Sequence, residues 1–497
     1  MICMGVKGFP SSNFLTAQTL TMTPLETVQS EWGLPFTPYW FQAEAIDDLA
    51  DKQKGALYFE PGLGKTVTAT CIALHKLMLG ADTVLVIMPP QLITQWGRWL
   101  SKIKGKDGNP PKVVAYRGSP TQRAALDLNA DFVLMGIQIF KRDIAHISSK
   151  LGEKTLHVIL DEAQCIKDVG TANYKTYRDF VETQSHTLLT GTPLNNPMDA
   201  YAYVKLIAPG VYRNLHHFEQ VHVVERDFFG NPTGYGNLDL LKENLLVNAH
   251  RRTKEEVLLD LPPCTVVPIA YDLSPRHLDL YRQLADEQLL KLPDGQKIDA
   301  TQVTALYHAL GQIVCNWGYF AQDESKVAQC FSMIDMVLDE IGSAKLVVFA
   351  NYKMTNKAIM EMYDCPGVWG EISAKEKQAA KDRFINDKDC RLITMAPSAG
   401  GVGWDDAQHV CADVLYVEPP LSVSQWTQSL SRVHREGQKR PVTVRMLMAA
   451  GTIQEHIVAS LTQKEDLVNP LQGSKALLRD AVFGSLKPRQ KVQQCAL

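Results

Sequence analysis

Two short stretches carry residues whose types and order suit phosphate chemistry. In Phe59-Glu60-Pro61-Gly62-Leu63-Gly64-Lys65-Thr66 an apolar run feeds a glycine-rich loop, and a helical pattern follows. Gly62 and Gly64 permit backbone angles and a close approach that a Cβ would block. Pro61 and Leu63 complete the loop, and the amides at the start of the next helix then point at an anion. Lys65 adds a point charge for the outer phosphates, and Thr66 a hydroxyl that can ligate Mg²⁺. Phe59 stands where such loops usually carry their first glycine, and taken alone the pattern also suits an ordinary strand-to-helix turn. The second stretch, the apolar run Leu156–Leu160 ending in Asp161-Glu162-Ala163-Gln164, narrows the choice. Asp161 can hold Mg²⁺, directly or through water, and Glu162 can polarise an attacking water. Acidic residues also favour helix starts. A phosphate loop followed by an acid pair, in that order, points to ATP hydrolysis.

Two further stretches extend the site. Leu188-Leu189-Thr190-Gly191-Thr192-Pro193-Leu194 reads as a strand ending in small hydroxyl residues. Hydroxyls there can sense the acid pair and relay the nucleotide state, although a plain turn has the same composition. Far downstream, Gln425–Gln438 contains Arg432 and Arg435, three apart and expected on one face of a helix. Two guanidiniums facing a γ-phosphate across a cleft would stabilise the charge that develops during hydrolysis. A solvated helix capped by Gly437 is the plainer alternative.

The elements that must position these groups alternate. Short β-branched runs at Ala56–Phe59, Thr83–Met88, Asp131–Met135, His157–Leu160 and His186–Leu189 each lead through a loop into a helical pattern. That alternation implies parallel βαβ units. It breaks near Leu261-Pro262-Pro263, where a helical segment (275–290) and a polar stretch around Pro293, Asp294 and Gly295 follow. It resumes at Lys345–Phe349, Arg391–Thr394, Val414–Val417 and Val442–Leu447.

Composition sets the outer limits. The chain has 497 residues, 45% hydrophobic and 21% charged, enough for several domains with sizeable cores. The net charge of −3 lacks the basic excess common in nucleic-acid binders, so any such surface must be local. Candidates are Lys102, Lys104, Lys106 and Lys112, then Arg251, Arg252 and Lys254, then Lys487, Arg489 and Lys491. The ten cysteines include no C-x-x-C pair, which disfavours a disulfide framework or structural zinc and suits a reducing cytosol. His216 and His217 read as surface residues. No apolar run reaches membrane-spanning length, so no membrane partner is expected.

Taken together, the stretches resemble the Swi/Snf-type DNA translocases of helicase superfamily two, from about Phe36 to Ile457. Tyr39-Trp40-Phe41-Gln42 resembles the adenine-reading glutamine motif, and Val84–Pro89 with Gln95-Trp96 the first DNA-contacting motif. Asp161–Gln164 with Ile166-Lys167-Asp168 resembles the acid box, and Leu189–Asn196 the Thr-Gly-Thr-Pro motif. His250–Lys254 with Leu261-Pro262-Pro263 resembles the segment leaving the first lobe. Ala399–Gly403 and Gln428–Gln438 resemble the last two motifs. Ala396, Pro397 and Asp405 depart from the usual Ser, Thr and Asn. The run Leu346–Lys353 looks most like the fork-remodelling, strand-annealing branch.

The resemblance implies an α/β fold of two RecA-like parallel-sheet lobes with helical protrusions between them. The expected divisions are an N-terminal arm (1–30), lobe one (31–265), a helical protrusion or linker (266–330), lobe two (331–470) and a tail (471–497). It implies ATP and Mg²⁺ as cofactors, with Gln42, Pro61, Gly62, Leu63, Gly64, Lys65 and Thr66 binding nucleotide and Thr66 and Asp161 the metal. Catalysis would fall to Lys65, Asp161, Glu162, Arg432 and Arg435. It implies double-stranded or branched DNA as the partner, a monomer, and branch migration or fork regression as the task. Displacement of a protein from duplex DNA and a non-catalytic DNA-binding scaffold are the rival readings. The small size suggests a bacterial cytosol or a phage-infected cell.

Overall fold

The computed structural model describes residues 22–194, 196–228, 230–287, 289–291, 297–299, 303–321, 328–400, 406–420 and 423–462. Within them two fully parallel sheets carry the chain. The first is built from β1 (Lys54–Phe59), β2 (Thr83–Met88), β3 (Val113–Tyr116), β4 (Phe132–Gly136), β5 (Leu156–Asp161), β6 (Ser185–Leu189) and β7 (Ala249–Arg252), in the order β7-β1-β6-β5-β2-β4-β3. The second is built from β8 (Cys264–Tyr271), β9 (Lys345–Phe349), β10 (Gly367–Val368), β11 (Leu392–Met395), β12 (Cys411–Tyr416) and β13 (Val442–Ala449), in the order β8-β13-β12-β9-β11-β10.

Both sheets are covered on two faces, which is why their central strands read as unbroken apolar runs. Alternate residues of the first sheet divide cleanly. Leu57, Phe59, Val84, Val86 and Ile159 pack under the helices α1 (Trp40–Leu49), α2 (Lys65–Met78) and α3 (Ile93–Leu100). Ala56, Tyr58, Leu85, Ile87 and Val158 pack on the opposite side against helices that include Ile137–Leu151 and Asp199–Ile207. A helix at Pro24–Glu31, opened by a Thr23–Glu26 capping box, buries Leu25 and Val28 in the same core as α1 and α2. Residues 24–30 therefore belong to lobe one and not to an arm.

The division at 265 also moves. It falls inside β8, which pairs in parallel with β13 from Cys264↔Val442 to Tyr271↔Ala449 and so belongs to the second sheet. β8 contains Pro268 and stands at the sheet edge, where a missing N–H costs no ladder bond. The helices α4 (Pro275–Glu287), α5 (Val303–Ala321) and α6 (Gln329–Glu340) do not stand apart as a protrusion. Tyr281, Leu310, Ile313, Phe320 and Ile334 share one core with Leu346, Val348, Leu415 and Leu447 of the second sheet. Residues 463–497, with the tail and its Lys487, Arg489 and Lys491, lie outside the described residues, as do 1–21.

A buried polar knot fastens α5 to this sheet. At Asn316 the helix leaves helical geometry (φ −126°, ψ 33°), and its side-chain amide donates to Thr355 Oγ1 at 2.8 Å. Thr355 in turn donates to Glu418 Oε1 at 2.5 Å, and the Tyr352 amide donates to Glu418 Oε2 at 3.0 Å. Glu418 is 2% exposed, and burial pushes its carboxyl up to about 7 from the ordinary 4.5. Between those pH values the folded chain keeps a proton that the unfolded chain has lost. Stability from this site is thus complete below pH 4.5 and declines as pH rises toward 7. The loss is on the order of 3 kcal/mol. The check is the melting temperature of wild type minus that of Glu418→Gln across pH 4–8. This difference should fall over pH 4.5–7 and level off above, whatever its absolute offset; a flat difference would mean Glu418 is ionised in the fold.

Candidate nucleotide site

The phosphate loop leaves β1 at Phe59 and enters α2 at Lys65. Gly62 (φ 93°) and Gly64 (φ 75°) both take left-handed angles. The left-handed angle at Gly64 is what favours glycine there, and a Cβ would also push aside the amide end of Gln42. Gln42 is buried beneath the loop and braces it. Its Nε2 donates to Leu63 O at 3.1 Å, and its Oε1 accepts from the Tyr39 amide at 3.0 Å. Leu63 is buried in the core, and Pro61 lies against Gly191 of the Thr-Gly-Thr-Pro segment. Lys65 Nζ lies on the loop and donates to Phe59 O at 2.9 Å. Burial pushes its ammonium below the ordinary lysine range, while Glu162, Asp161 and Glu60 oppose that shift and Arg432 adds to it. Thr66 is half-buried in the first turn of α2.

Asp161 ends β5 and is 5% exposed. Trp96 Nε1 donates to its Oδ2 and the Glu162 amide to its Oδ1, both at 2.9 Å. Burial, and then the charge of Glu162, push the carboxyl up to about 6, against the Trp96 hydrogen bond and Lys65. Trp96, expected in a DNA-contacting motif, is instead fully buried: α3 turns this face inward, and the indole N–H finds its acceptor in the acid pair.

Glu162 adopts φ 55°, ψ 54°, a left-handed conformation costing a non-glycine residue about 1–3 kcal/mol. Its Oε2 accepts from Gln164 Nε2 at 2.7 Å, and Gln164 Oε1 accepts from the Thr190 hydroxyl at 3.0 Å. The Thr192 amide donates to Thr190 Oγ1 at 3.2 Å. The hydroxyl segment thus reaches the acid pair through Gln164.

The second sheet completes the cleft. Gln428 Nε2 donates to Glu162 Oε2 at 3.4 Å, and Arg435 Cβ lies 3.5 Å from the point where a Cβ on Gly62 would sit. Arg432 and Arg435 do not share a helix face. The helix α7 (Val423–Leu430) stops short of them, and they lie in a tight turn. Ser429 and Ser431 hydroxyls take the carbonyls of Gln425 and Gln428, and Gly437 (φ 90°) bends the chain away.

Lys254, expected as surface charge, is 7% exposed. Its Nζ donates to His434 O at 2.5 Å, and burial pushes its ammonium down to about 8, with Glu60 opposing and Arg435 adding. Tyr39 on lobe one donates its hydroxyl to Glu436. Gln428, Lys254, Glu60 and the Tyr39–Glu436 pair were not among the expected site residues. Their only mark in sequence was a place inside a motif: Glu60 in the phosphate-loop stretch, Tyr39 in the glutamine motif, Lys254 in the segment leaving lobe one, and Gln428 and Glu436 in the arginine motif. Residues 401–405, which hold most of the Ala399–Gly403 motif and Asp405, lie outside the described residues. His216 and His217 are exposed, as expected.

The family model described as SNF2-related domain matches residues 21–318, more than half of the chain. The chain belongs to the SNF2-related family. Among similar proteins of known sequence, an uncharacterized ATP-dependent helicase of Mycoplasma pneumoniae is 24% identical over 449 residues, covering 87% of this chain and 41% of that protein. The uncharacterized ATP-dependent helicase YqhH of Bacillus subtilis is 23% identical over 500 residues, covering 92% of this chain and 83% of the other. The chain spans less than half the length of several of its curated relatives. A Sulfolobus solfataricus SWI2/SNF2 ATPase core solved in complex with double-stranded DNA aligns over 91% of this chain and 97% of that one, at 21% identity and a TM-score of 0.41.

The loop geometry of this SNF2-related chain disfavours any residue but glycine at position 64. Gly64→Ala should lower stability by at least about 1–2 kcal/mol from the left-handed angle alone. Displacement of Gln42 should add to this and weaken nucleotide binding. Thermal melting with and without nucleotide checks both effects. An alanine variant with unchanged melting temperature and affinity would contradict this geometry.

Proposed function

We propose that the chain is an ATP-hydrolysing motor that moves along double-stranded or branched DNA, with branch migration or fork regression as its task. One observation carries this reading: the loop lysine, the acid pair and the arginine turn face the same cleft, from two different sheets. ATP would lie on the Gly62–Thr66 loop, with its outer phosphates toward Lys65 and the arginines. Asp161 and Thr66 are hard oxygen donors that fit Mg²⁺, a cation typically bound by one or two protein groups together with substrate phosphates and water. A carboxylate as buried as Asp161 is also short of positive charge, which such a cation would supply to it and to the phosphates. Glu162 is the candidate to polarise the attacking water, and its Oε2 is held by Gln164 and Gln428. Arg432 and Arg435 would meet charge that grows in the transition state.

The motor half of the proposal follows from where these groups sit. Because the site is complete only when both sheets contribute, binding favours a closed cleft and hydrolysis a looser one. DNA lying across both lobes would be advanced by that cycle. Its contacts would be mainly to phosphates, weakly sequence-specific and sensitive to salt. Membership of the SNF2-related family supports the motor reading, and the run Leu346–Lys353 supports the fork-remodelling branch. A bacterial or phage source, with action in the cytosol, belongs to the same proposal.

The test compares ATP turnover without DNA and with single strands, linear duplex and a four-way junction, with Lys65→Ala as the background. Duplex and junction should stimulate wild type more than single strands do, added salt should erase the gain, and the junction should be resolved into arms. Equal stimulation by unstructured single strands would replace the duplex motor with a strand-tracking helicase. Clearance of a protein-blocked duplex without junction processing would favour protein displacement. Turnover no higher than Lys65→Ala would leave a non-catalytic scaffold.

A further inference from the structure

We infer that Lys254 is a positioning residue, which holds the arginine turn of lobe two in register with the phosphate loop of lobe one; this rests on the ATPase reading above.

Lys254 is fixed at both ends. A Thr253–Glu256 capping box starts its short helix, Lys254–Val257. Its backbone N–H donates to Glu60 Oε2 at 3.0 Å, and the Glu60 amide donates to Arg252 O at 3.0 Å. The backbone of Lys254 is therefore bolted to the first residue of the phosphate loop. Its side chain then runs past the loop, with Cε 3.8 Å from the position a Cβ on Gly62 would take. It ends on the carbonyl of His434, one of the two residues between the arginines in the turn.

The turn is held a second time by the same stretch of chain. His434 Nε2 lies 2.9 Å from Pro262 O, in the segment that leaves lobe one for β8. Both grips act on His434, one on its backbone and one on its ring. Both bonds hold the turn through His434, and neither is made to an arginine side chain.

Packing alone does not account for a lysine here. The ammonium lies close to Arg435 and Arg432, two like charges, with Glu60 as the nearby anion and the Cys264 thiol in the same surroundings. An apolar side chain of similar length would fill the volume without that repulsion. What the ammonium adds is a charge-assisted hydrogen bond across the cleft, which a methionine cannot make.

The test is a double-mutant cycle on the full chain, with kcat and the KM for ATP measured for wild type, Lys254→Met, Arg435→Ala and the double variant. Lys254→Met should lower kcat roughly tenfold to a hundredfold, the worth of one charge-assisted hydrogen bond, with KM changed far less. In the double variant it should add little to Arg435→Ala, because the residue acts through that turn. Lys254→Arg should recover part of kcat, which also covers the case in which the methionine variant folds poorly. An unchanged kcat in Lys254→Met, a rise in KM alone, or fully multiplicative effects with Arg435→Ala would each overturn the inference. Absence of ATP turnover in wild type would instead fail the underlying ATPase reading.

Discussion

The site depends on bringing opposite charges from two separate sheets into one partly dry cleft. Lys65, Asp161, Glu162, Glu60 and Lys254 come from the first sheet and its loops, and Arg432 and Arg435 from the second. Each is costly to bury alone. Lys65 is lowered by burial and raised by the acids, while Asp161 is raised by burial and lowered by Lys65. Within lobe one Lys65 and the acids offset each other's burial, while the arginines of lobe two add like charge beside Lys65 and Lys254.

Hydrogen bonds give the cleft a route by which occupancy can be felt. Thr190, Gln164 and Glu162 form one continuous chain within lobe one, and Gln428 extends it into lobe two. A change at the carboxylate of Glu162 must alter partners on both sides, because one oxygen, Oε2, is shared between Gln164 and Gln428. On the other flank, Lys254 and Tyr39 of lobe one meet His434 and Glu436 of lobe two. The two lobes thus touch on both sides of the phosphate loop, through polar contacts that can be exchanged without unpacking either core.

The central strands were legible because each is buried on two faces, so Val84–Met88 and Val158–Leu160 show their burial directly as apolar runs. Edge strands were not. Ala249–Arg252 reads as a charged run, and Cys264–Tyr271 is half exposed and carries a proline, yet both pair in parallel along their length. The phosphate loop and acid pair were legible because their chemistry is local in sequence. The arginine turn was legible in content but not in shape, since a spacing of three suggests a helix, whereas the helix stops at Leu430. Lys254 could not be found this way. Nothing in a run of basic residues distinguishes the one that points inward, and its partner His434 lies far along the chain.

The central claim is that the second sheet acts on the nucleotide during reaction and not merely on its binding. It is tested most directly by measuring kcat and ATP affinity side by side for Arg432→Ala and Arg435→Ala, with saturating duplex DNA. The account predicts that turnover falls by roughly 10³ or more while affinity changes far less, because the guanidiniums meet charge that exists mainly in the transition state. A large loss of affinity with turnover intact would make the arginines passive nucleotide ligands, and no change in either would return them to a solvated turn.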